Sequence, residues 1–296
     1  MEYRKIIGFG KGSHVISIPK LWMNQNNLHK GNSVCLRANG DALILSPSAD
    51  KKETQKKTIT ISADNKRIED ISAEIITAYV NGCHIIDILL KPGTDIESIK
   101  GIISSLAGLE IFEQSSNRII THFLIDPQEL SLDGMVRRMD NIARSLINDI
   151  LNSSLTQNLD VLSIPDRDKD LNRLYFLIRR IVRDIIRSRE TNPWKVRNTL
   201  LVASRIEQIG DSQKRIARDL EQLKVSERFL DEFQKVFRLL QEAYIAAMQA
   251  YYKSDKAKAL SINTTNRERQ LACDQLLSRD FEMEFNLIKE QQIRYA

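Results

Sequence analysis

The fold is decided by the stretch Tyr3-Arg-Lys-Ile-Ile-Gly-Phe-Gly-Lys-Gly-Ser-His-Val-Ile-Ser-Ile-Pro-Lys-Leu-Trp22. Two short apolar runs flank a basic, glycine-rich loop, and the second run, Val15–Ile18, stops at Pro19. Proline has no amide hydrogen for a strand ladder, but it suits the first turn of a helix. The pattern therefore predicts two strands joined by the loop and followed by a short helix. Glycine lets a ligand approach the backbone closely and the basic side chains attract anions, although such loops are often ordinary solvated turns.

The residues that follow continue the same small domain. A Lys-Gly turn precedes an apolar run at 33–37, and a second run lies at 42–45. Asn39-Gly-Asp41 joins the two runs, and Asn-Gly between apolar runs is the strongest short signal for a β-hairpin. This order of elements resembles the SpoVT/AbrB family of DNA-binding domains over about residues 3 to 47.

The resemblance implies a homodimer in which two chains interleave their hairpins into one small β-barrel. Pairing is also expected because a segment this short buries too little surface to be stable alone. In the family the basic loops of both chains face DNA. Carried over to this sequence, the expected DNA contacts are Arg4, Lys5, Lys11, Ser13, His14 and Lys20.

Charge is distributed unevenly along the chain. The 296 residues carry a net charge of +5, whereas residues 1–57 alone hold ten Lys or Arg against four Asp or Glu. Lysines near a phosphate backbone release counterions and give salt-dependent affinity, so a basic first domain favours DNA as its partner. The polar segment 46–57 is also typical of a solubilising linker.

Composition limits the class of protein. Only 11 glycines and 6 prolines occur in 296 residues, which favours long helices over a loop-rich fold. Cys35, Cys83 and Cys273 are widely spaced, which argues against a disulfide framework or a zinc site and favours a reducing cytoplasm. The start of the chain lacks an apolar signal-peptide core, and no apolar run approaches the length of a transmembrane span, so we expect a soluble protein.

Residues 58–127 are predicted to form a small α/β domain. Alternation at 58–61 indicates a strand, helical periodicity follows at 68–79, and a buried strand is expected at 85–90. A helix at 96–107, capped by Thr94 or Asp95, and two further strands at 109–113 and 119–125 complete the unit. Cys83 and His84 are adjacent, but without a second pair they are expected to pack rather than to bind metal. The domain could space, dimerise or couple the two ends of the chain.

The rest of the chain predicts an antiparallel helical bundle. Ser131 is expected to cap the first helix, Pro165 and Pro193 to lie in the first turns of the next two, and Ser226 to cap the fourth. Wide apolar faces on these helices must pack against one another. The predicted helices are 132–157, 165–190, 193–223, 226–255 and 265–295.

Two pairs of carboxylates with helical spacing lie on neighbouring predicted helices. Like charges four residues apart weaken a helix slightly, so their presence on both helices suggests a cation between them. Oxygen ligands favour hard divalent ions, iron or manganese over zinc. Acidic residues at this spacing are also common on solvated faces, and Arg167, Lys169 and Arg205 could neutralise them without metal. The four candidate metal ligands are Asp166, Asp170, Glu207 and Asp211.

The same helices carry a second resemblance. Asp166-Arg-Asp-Lys-Asp-Leu-Asn-Arg-Leu-Tyr-Phe-Leu-Ile178 and Ser204-Arg-Ile-Glu-Gln-Ile-Gly-Asp-Ser-Gln-Lys-Arg-Ile-Ala217 are similar to the two signature helices of the PhoU family, over about residues 132–222. The resemblance implies metal clusters at these carboxylate pairs and a role in regulating phosphate uptake. Asp280 and Glu284 are the nearest candidates for an acidic pair in a degenerate second repeat.

Together the two resemblances predict a protein of the archaeal phosphate-uptake-regulator type with four parts. These are an AbrB-like domain at 1–50, a linker at 51–57, the α/β domain at 58–127 and a PhoU-like bundle at 128–296. The leading hypothesis is a homodimeric, phosphate-responsive transcriptional regulator. The alternative is an adaptor that docks on phosphate-transporter components, such as the transporter ATPase, without specific DNA binding. An enzyme is not expected, since a di-metal oxidase usually needs Glu-x-x-His pairs and all four histidines precede the helices.

Overall fold

The computed structural model describes seven stretches of the chain. They are residues 3–39, 42–47, 57–126, 129–156, 164–188, 192–222 and 227–278. The chain divides into two compact units, Met1–Lys56 and Lys57–Ala296. Each unit is described separately below.

The first unit consists of two hairpins and a short helix. Its elements are β1 (Ile7–Phe9), β2 (Ser13–Val15), α1 (Lys20–Gln25), β3 (Val34–Asn39) and β4 (Ala42–Pro47). β1 pairs with β2 and β3 pairs with β4, both antiparallel. The prediction of two hairpins around a short helix is confirmed.

The extent of the first hairpin differs from the prediction. The expected strand Val15–Ile18 overlaps the observed β2 only at Val15, because Gly10, with a φ of 67°, makes a tight turn that brings Ser13 opposite Phe9. Gly8, Ser13 and His14, expected in the loop, therefore lie in the strands. Residues 16–18 continue beyond β2 without a described partner strand in the same chain.

The first unit has no buried residue within its described part. Its large apolar side chains lie open, with Phe9 70%, Leu21 72% and Leu43 64% exposed. A domain whose apolar side chains are all accessible gains little from folding alone. The described part of the first unit therefore lacks a hydrophobic core.

The second unit begins with the predicted α/β layer. Its elements are β5 (Thr58–Ser62), α2 (Ile68–Val80), β6 (Ile85–Leu89), α3 (Ile96–Ser104), β7 (Leu109–Ser115) and β8 (Arg118–Phe123). The sheet order is β5-β6-β8-β7, with β5 parallel to β6 and the other neighbours antiparallel. Each element of this layer was predicted, and Asp95 caps α3 by accepting a hydrogen bond from Ser98 N at 3.1 Å.

One apolar face of the sheet packs against the helices. Ile86 and Ile88 on β6 lie beside Ile119 on β8, and all three are fully buried. α2 contributes Ile75 and Tyr79 to the same cluster. These side chains recur every second residue on the strands and every four on the helix, which is why the pattern could be recognised from sequence.

Six helices follow the α/β layer within the described residues. They are α4 (Leu132–Thr156), α5 (Ile164–Ser188), α6 (Pro193–Gln222), α7 (Glu227–Lys253), α8 (Lys256–Thr264) and α9 (Asn266–Ser278). The first four predicted helices are confirmed within a few residues, and Ser131 Oγ accepts from Gly134 N at 3.2 Å as the expected cap. Ser226, the expected cap of α7, lies outside the described residues. None of the described helices has the length and hydrophobicity needed to span a lipid bilayer.

Helix α8 was not predicted. The fourth helix ends because Ser254 adopts a positive φ of 53°, and Asp255 then caps a new helix by accepting from Lys258 N at 2.9 Å. The sequence of α8 has little amphipathic period, so its pattern resembled a loop. The fifth predicted helix, 265–295, corresponds to α9 as far as residue 278, and its remainder lies outside the described residues.

A buried arginine joins the α/β layer to the bundle. Arg180 on α5 is 1% exposed, and its Nη1 donates to the carbonyl oxygens of Tyr79 at 2.5 Å and Cys83 at 3.0 Å. The guanidinium also lies 3.7 Å from the ring centroid of Phe123. The Tyr79 carbonyl also accepts from Gly82 N at 2.9 Å, so Arg180 adds a second donor at the end of α2 and holds Cys83 just beyond it.

Candidate functional site

The first candidate site is the basic hairpin of the N-terminal unit. Lys11 lies in the turn between β1 and β2, and Ser13 and His14 lie on β2. Lys20 begins α1, whereas Arg4 and Lys5 precede β1. All six predicted contacts are exposed. The surface can attract a polyanion, and Lys11 lies in the turn of the hairpin.

The hairpin has two chemically different faces. Ladder partners share a face, so Ile7 and Phe9 lie on the same side as Val15 and Ser13. His14 lies opposite Gly8, on the other side. The structure therefore places the two predicted contacts Ser13 and His14 on different faces, with Ser13 beside the exposed apolar side chains.

The second candidate site lies where helices α5 and α6 cross. Gly210 on α6 allows a close approach, because a Cβ atom added there would lie 2.4 Å from Leu171 Cδ1 on α5. Next to this crossing, Lys214 Nζ donates to Asp168 Oδ2 at 2.6 Å. Asp168 is only 3% exposed, so a carboxylate is held in the interface between the two helices.

Glu207 belongs to the same cluster. Burial raises the pKa of the Glu207 carboxyl above its ordinary value, and the charges of Asp211 and Asp168 raise it further, whereas Arg179 lowers it. Three carboxylates thus influence one another across the α5–α6 interface. A negative charge on Glu207 is disfavoured there unless a cation compensates it.

The predicted pairs are placed unevenly. Glu207 and Asp211 are half-buried on one face of α6, but Asp170 on α5 is exposed. Asp166 belongs to the first turn of α5, and its side chain lies outside the described residues. Sequence reasoning missed Asp168, although it lies three residues before Leu171, in phase with the buried stripe of α5.

Two of the three basic residues that were expected to neutralise these pairs contact other groups. Arg167 bonds to Ser145 and Asp149 on α4, and Arg205 donates to Gln208. Lys214, which was not among the expected neutralising residues, holds Asp168 instead. The carboxylates of this cluster carry the negative charge that a cation requires. However, no group of three or more Asp, Glu, His or Cys side chains within the described part is arranged to hold a metal ion.

We expect Glu207→Gln to stabilise the protein in the presence of a chelator. The pKa of the Glu207 carboxyl is raised in the folded protein. This carboxyl therefore contributes to stability at pH values below its pKa in the unfolded chain, and the contribution is lost as the pH rises through its pKa in the folded protein. At neutral pH the amide should therefore raise the free energy of unfolding, by up to about 1 kcal/mol for a half-exposed group. Thermal unfolding at pH 5 and pH 7.5 measures the effect.

The control for this variant is Glu221→Gln, which removes an exposed charge from the same helix. It should leave the melting temperature nearly unchanged at both pH values. A lower melting temperature for Glu207→Gln in chelator would contradict the electrostatic description of this cluster.

The described helices also form an open groove. It has a volume of ≈ 970 Å³ and lies between α4, α6, α7 and α8. Trp194 and Leu201 on α6, which are 69% and 49% exposed, contribute to its wall together with Tyr251. Exposed apolar side chains beside a groove are typical of surfaces that bind other proteins.

Comparison with known families assigns one part of the chain. Residues 136–220 match the model of the PhoU domain. No curated protein and no solved structure matches the chain. The matched segment runs from the first turns of α4 to the end of α6 and contains both arms of the carboxylate cluster, but no residue of the N-terminal unit. Helices α4 to α6 are therefore the PhoU-like part of this protein.

Proposed function

We propose that the protein is a phosphate-responsive transcriptional regulator that binds DNA through its N-terminal unit. The observation that carries the proposal is the PhoU domain match at residues 136–220, which suggests a regulatory or adaptor role in phosphate uptake. A domain of this kind acts through partners, and the basic N-terminal unit supplies a surface for one. The protein would then be a regulator and not an enzyme.

The charge and exposure of the first hairpin support DNA as the partner. Arg4, Lys5, Lys11 and Lys20 are all exposed around β1 and β2. Clustered cations at one end of a chain give the sequence-independent part of DNA affinity. The bases would be read by Lys11 in the turn of the hairpin and by His14 on β2.

The missing core of the first unit supports a homodimer. Phe9 and Ile16 are 70% and 55% exposed, and residues 16–18 have no described partner strand in the same chain. A second copy could supply that strand and cover these side chains, giving the swapped-hairpin, AbrB-like barrel. Dimerisation would also place two basic hairpins on one DNA duplex.

Replacing both Lys11 and His14 with alanine should abolish sequence-specific DNA binding. Each lost phosphate contact is expected to reduce the steepness of the salt dependence, that is, the magnitude of the negative slope of log affinity against log salt concentration, by about one. A gel shift on the protein's own upstream region, repeated at several salt concentrations, measures both effects. Lys30→Ala removes an exposed cation outside the hairpin and should leave specific binding intact.

The signal would reach the bundle at the α5–α6 carboxylates. We propose that Glu207 and Asp211, with Asp166 and Asp170, hold a divalent or iron-type cation. Asp168 is already engaged by Lys214, so the cation would depend mainly on the other carboxylates and on water. Metal analysis of protein purified without added ions, together with DNA binding with and without phosphate, tests this step.

A second candidate function is an adaptor that docks on phosphate-transporter components. The exposed apolar wall of the groove around Trp194 favours this reading, because it offers a surface for a protein. In that case the N-terminal unit would only dimerise. DNA binding would be non-specific and salt-sensitive, and Trp194→Ala would weaken capture of the purified transporter ATPase.

A further inference from the structure

The open groove at one end of the bundle has the dimensions of a short helix. α6 and α7 both pack against α4, and the groove runs between them, with α8 along one side. α6 lines it from Trp194 to Val202, which is about 12 Å at 1.5 Å per residue. α7 lines it with Ala247 and Ala250, whose small side chains leave room for another element. The groove can therefore take about two turns of a helix.

One wall of this groove carries apolar side chains in water. Trp194 and Leu201 are 69% and 49% exposed, and they lie seven residues apart, on the same face of α6. An amphipathic helix carries its apolar residues at spacings of three, four and seven. Such a helix could cover both side chains at once.

The same end of the bundle carries cations where helices usually carry acids. The first turns of α6 and α8 contain no acidic residue, although the positive end of a helix dipole favours one there. They contain Lys195 and Lys256 instead, and both residues line the groove together with Arg137 from α4. An anion in the groove would offset this unfavourable placement of charge.

Two acidic residues also line the groove, and both are engaged. Asp133 pairs with Lys195 at 3.2 Å, and Asp255 caps α8. Arg137 and Lys256 are both exposed, and no carboxylate within the described stretches pairs with either of them. These two cations are therefore available to the carboxylates of another molecule.

We propose that the groove binds an acidic amphipathic helix of a protein partner. Apolar side chains on one face of that helix would cover Trp194 and Leu201, and its carboxylates would pair with Arg137 and Lys256. The proposal rests on the partner-docking function described above and names the chemistry of the segment that docks.

The shape of the groove favours a peptide over a small anion or a membrane. Small-molecule sites bury most of the surface of their ligand, whereas this groove is open and leaves Trp194 largely in water. A lipid bilayer is flat, whereas Arg137 comes from α4, the helix against which both walls pack. A helix laid between the walls reaches the apolar side chains and the cations together.

Fluorescence titration of the full-length protein tests the proposal. In a Trp22→Phe background Trp194 is the only tryptophan, so its emission should shift to shorter wavelength when a helix covers its ring. The probe is a synthetic peptide of about three helical turns with leucines at i, i+3, i+4 and i+7 and glutamates elsewhere. The matched peptide has lysines in place of the glutamates. The acidic peptide should bind at least about ten-fold more tightly.

Charge reversal in the protein provides the second arm of the test. Lys256→Glu should weaken binding of the acidic peptide about ten-fold and strengthen binding of the lysine peptide. The variant should fold, because a glutamate in the first turn of α8 suits the helix dipole. Arg238→Glu, an exposed position on α7 outside the groove, is the matched control and should change neither affinity.

Three results would overturn the proposal. They are equal affinities for the two peptides, an affinity that Lys256→Glu leaves unchanged, and a shift in Trp194 emission only with ATP or with phosphatidylglycerol vesicles.

Capture of the purified transporter ATPase separates this proposal from the adaptor function. Binding of the acidic peptide without capture of the ATPase would support the groove proposal and contradict the adaptor function. Equal capture by the Lys256→Glu variant, with no response to the peptide, would support the adaptor function and overturn the groove proposal.

Discussion

Arg180→Ala should lower the unfolding free energy of residues 57–296 by roughly 2–4 kcal/mol, because the buried Cys83 carbonyl loses its donor at a cost of about 1–3 kcal/mol and the Tyr79 carbonyl keeps only its bond from Gly82 N. The carbonyls of Tyr79 and Cys83 accept from this guanidinium, and Phe123 packs against it. Burial lowers the pKa of Arg180, so removing the charge recovers part of this loss. A cavity between α2 and α5 adds to the loss.

The variant should also separate two unfolding transitions. In a Trp22→Phe background, tryptophan fluorescence reports the bundle through Trp194, and hydrogen exchange of α2 amides reports the α/β layer. In the unmodified protein both probes should follow one transition, whereas in Arg180→Ala the α2 amides should open first. Arg173→Ala, an exposed position on the same helix, is the control. Equal losses for the two variants would mean that Arg180 does not join the layers.

The sequence predicted the local elements of this fold but not this junction. Strand alternation at 58–62 and helical periodicity in α4 to α7 depend on neighbouring residues, so they could be recognised without tertiary contacts. Arg180 lies close to the apolar face of the amphipathic helix α5, beside Ile178 and Ile181, and an arginine side chain there is normally expected to turn towards water. Only the position of the C-terminal end of α2, set by the sheet, explains its burial.

The carboxylate that is buried where α5 crosses α6 was not among the residues predicted from sequence. The four-residue spacing of acidic side chains predicted Asp166 and Asp170 as ligands. In the structure it is Asp168 that is buried in the α5–α6 interface. The choice between these positions depends on where α5 touches α6, and Gly210 allows the close approach of Leu171 there. Spacing along one helix cannot supply this information, because it does not say which face meets a neighbour.

The first hairpin shows a different limit. Apolar pattern predicted a strand at Val15–Ile18, but a strand needs a partner as well as a pattern. In one chain only Val15 finds its partner, Ile7. In the homodimer proposed above, a second chain would pair with residues 16–18, and we expect the strand to extend to Ile18. The shorter β2 is the strand that a single chain forms.

Asp140→Ala should destabilise the bundle by roughly 2–4 kcal/mol, since it breaks a buried charge-assisted network. Asp140 is 3% exposed and accepts from Arg144 Nε at 2.9 Å and Nη2 at 3.1 Å. Tyr252 on α7 donates to the same carboxylate at 3.0 Å. The Arg137 guanidinium on α4 lies 4.2 Å from the Tyr252 ring centroid on α7. Loss of the Asp140 hydrogen bonds would therefore weaken the packing of α4 against α7.

The informative comparison is a double-mutant cycle. Asp140→Ala and Tyr252→Phe should show a coupling energy of about 1 kcal/mol or more in denaturant unfolding, since each removes one side of the same hydrogen bond. Asp133→Ala is the control on α4, where an exposed carboxylate pairs with Lys195 at 3.2 Å and should contribute at most about 1 kcal/mol. Additive losses would show that α7 is not held by Asp140. Coupling would mean that α7, which lies beyond the matched residues 136–220, is held to α4 of the PhoU-like helices by this hydrogen bond.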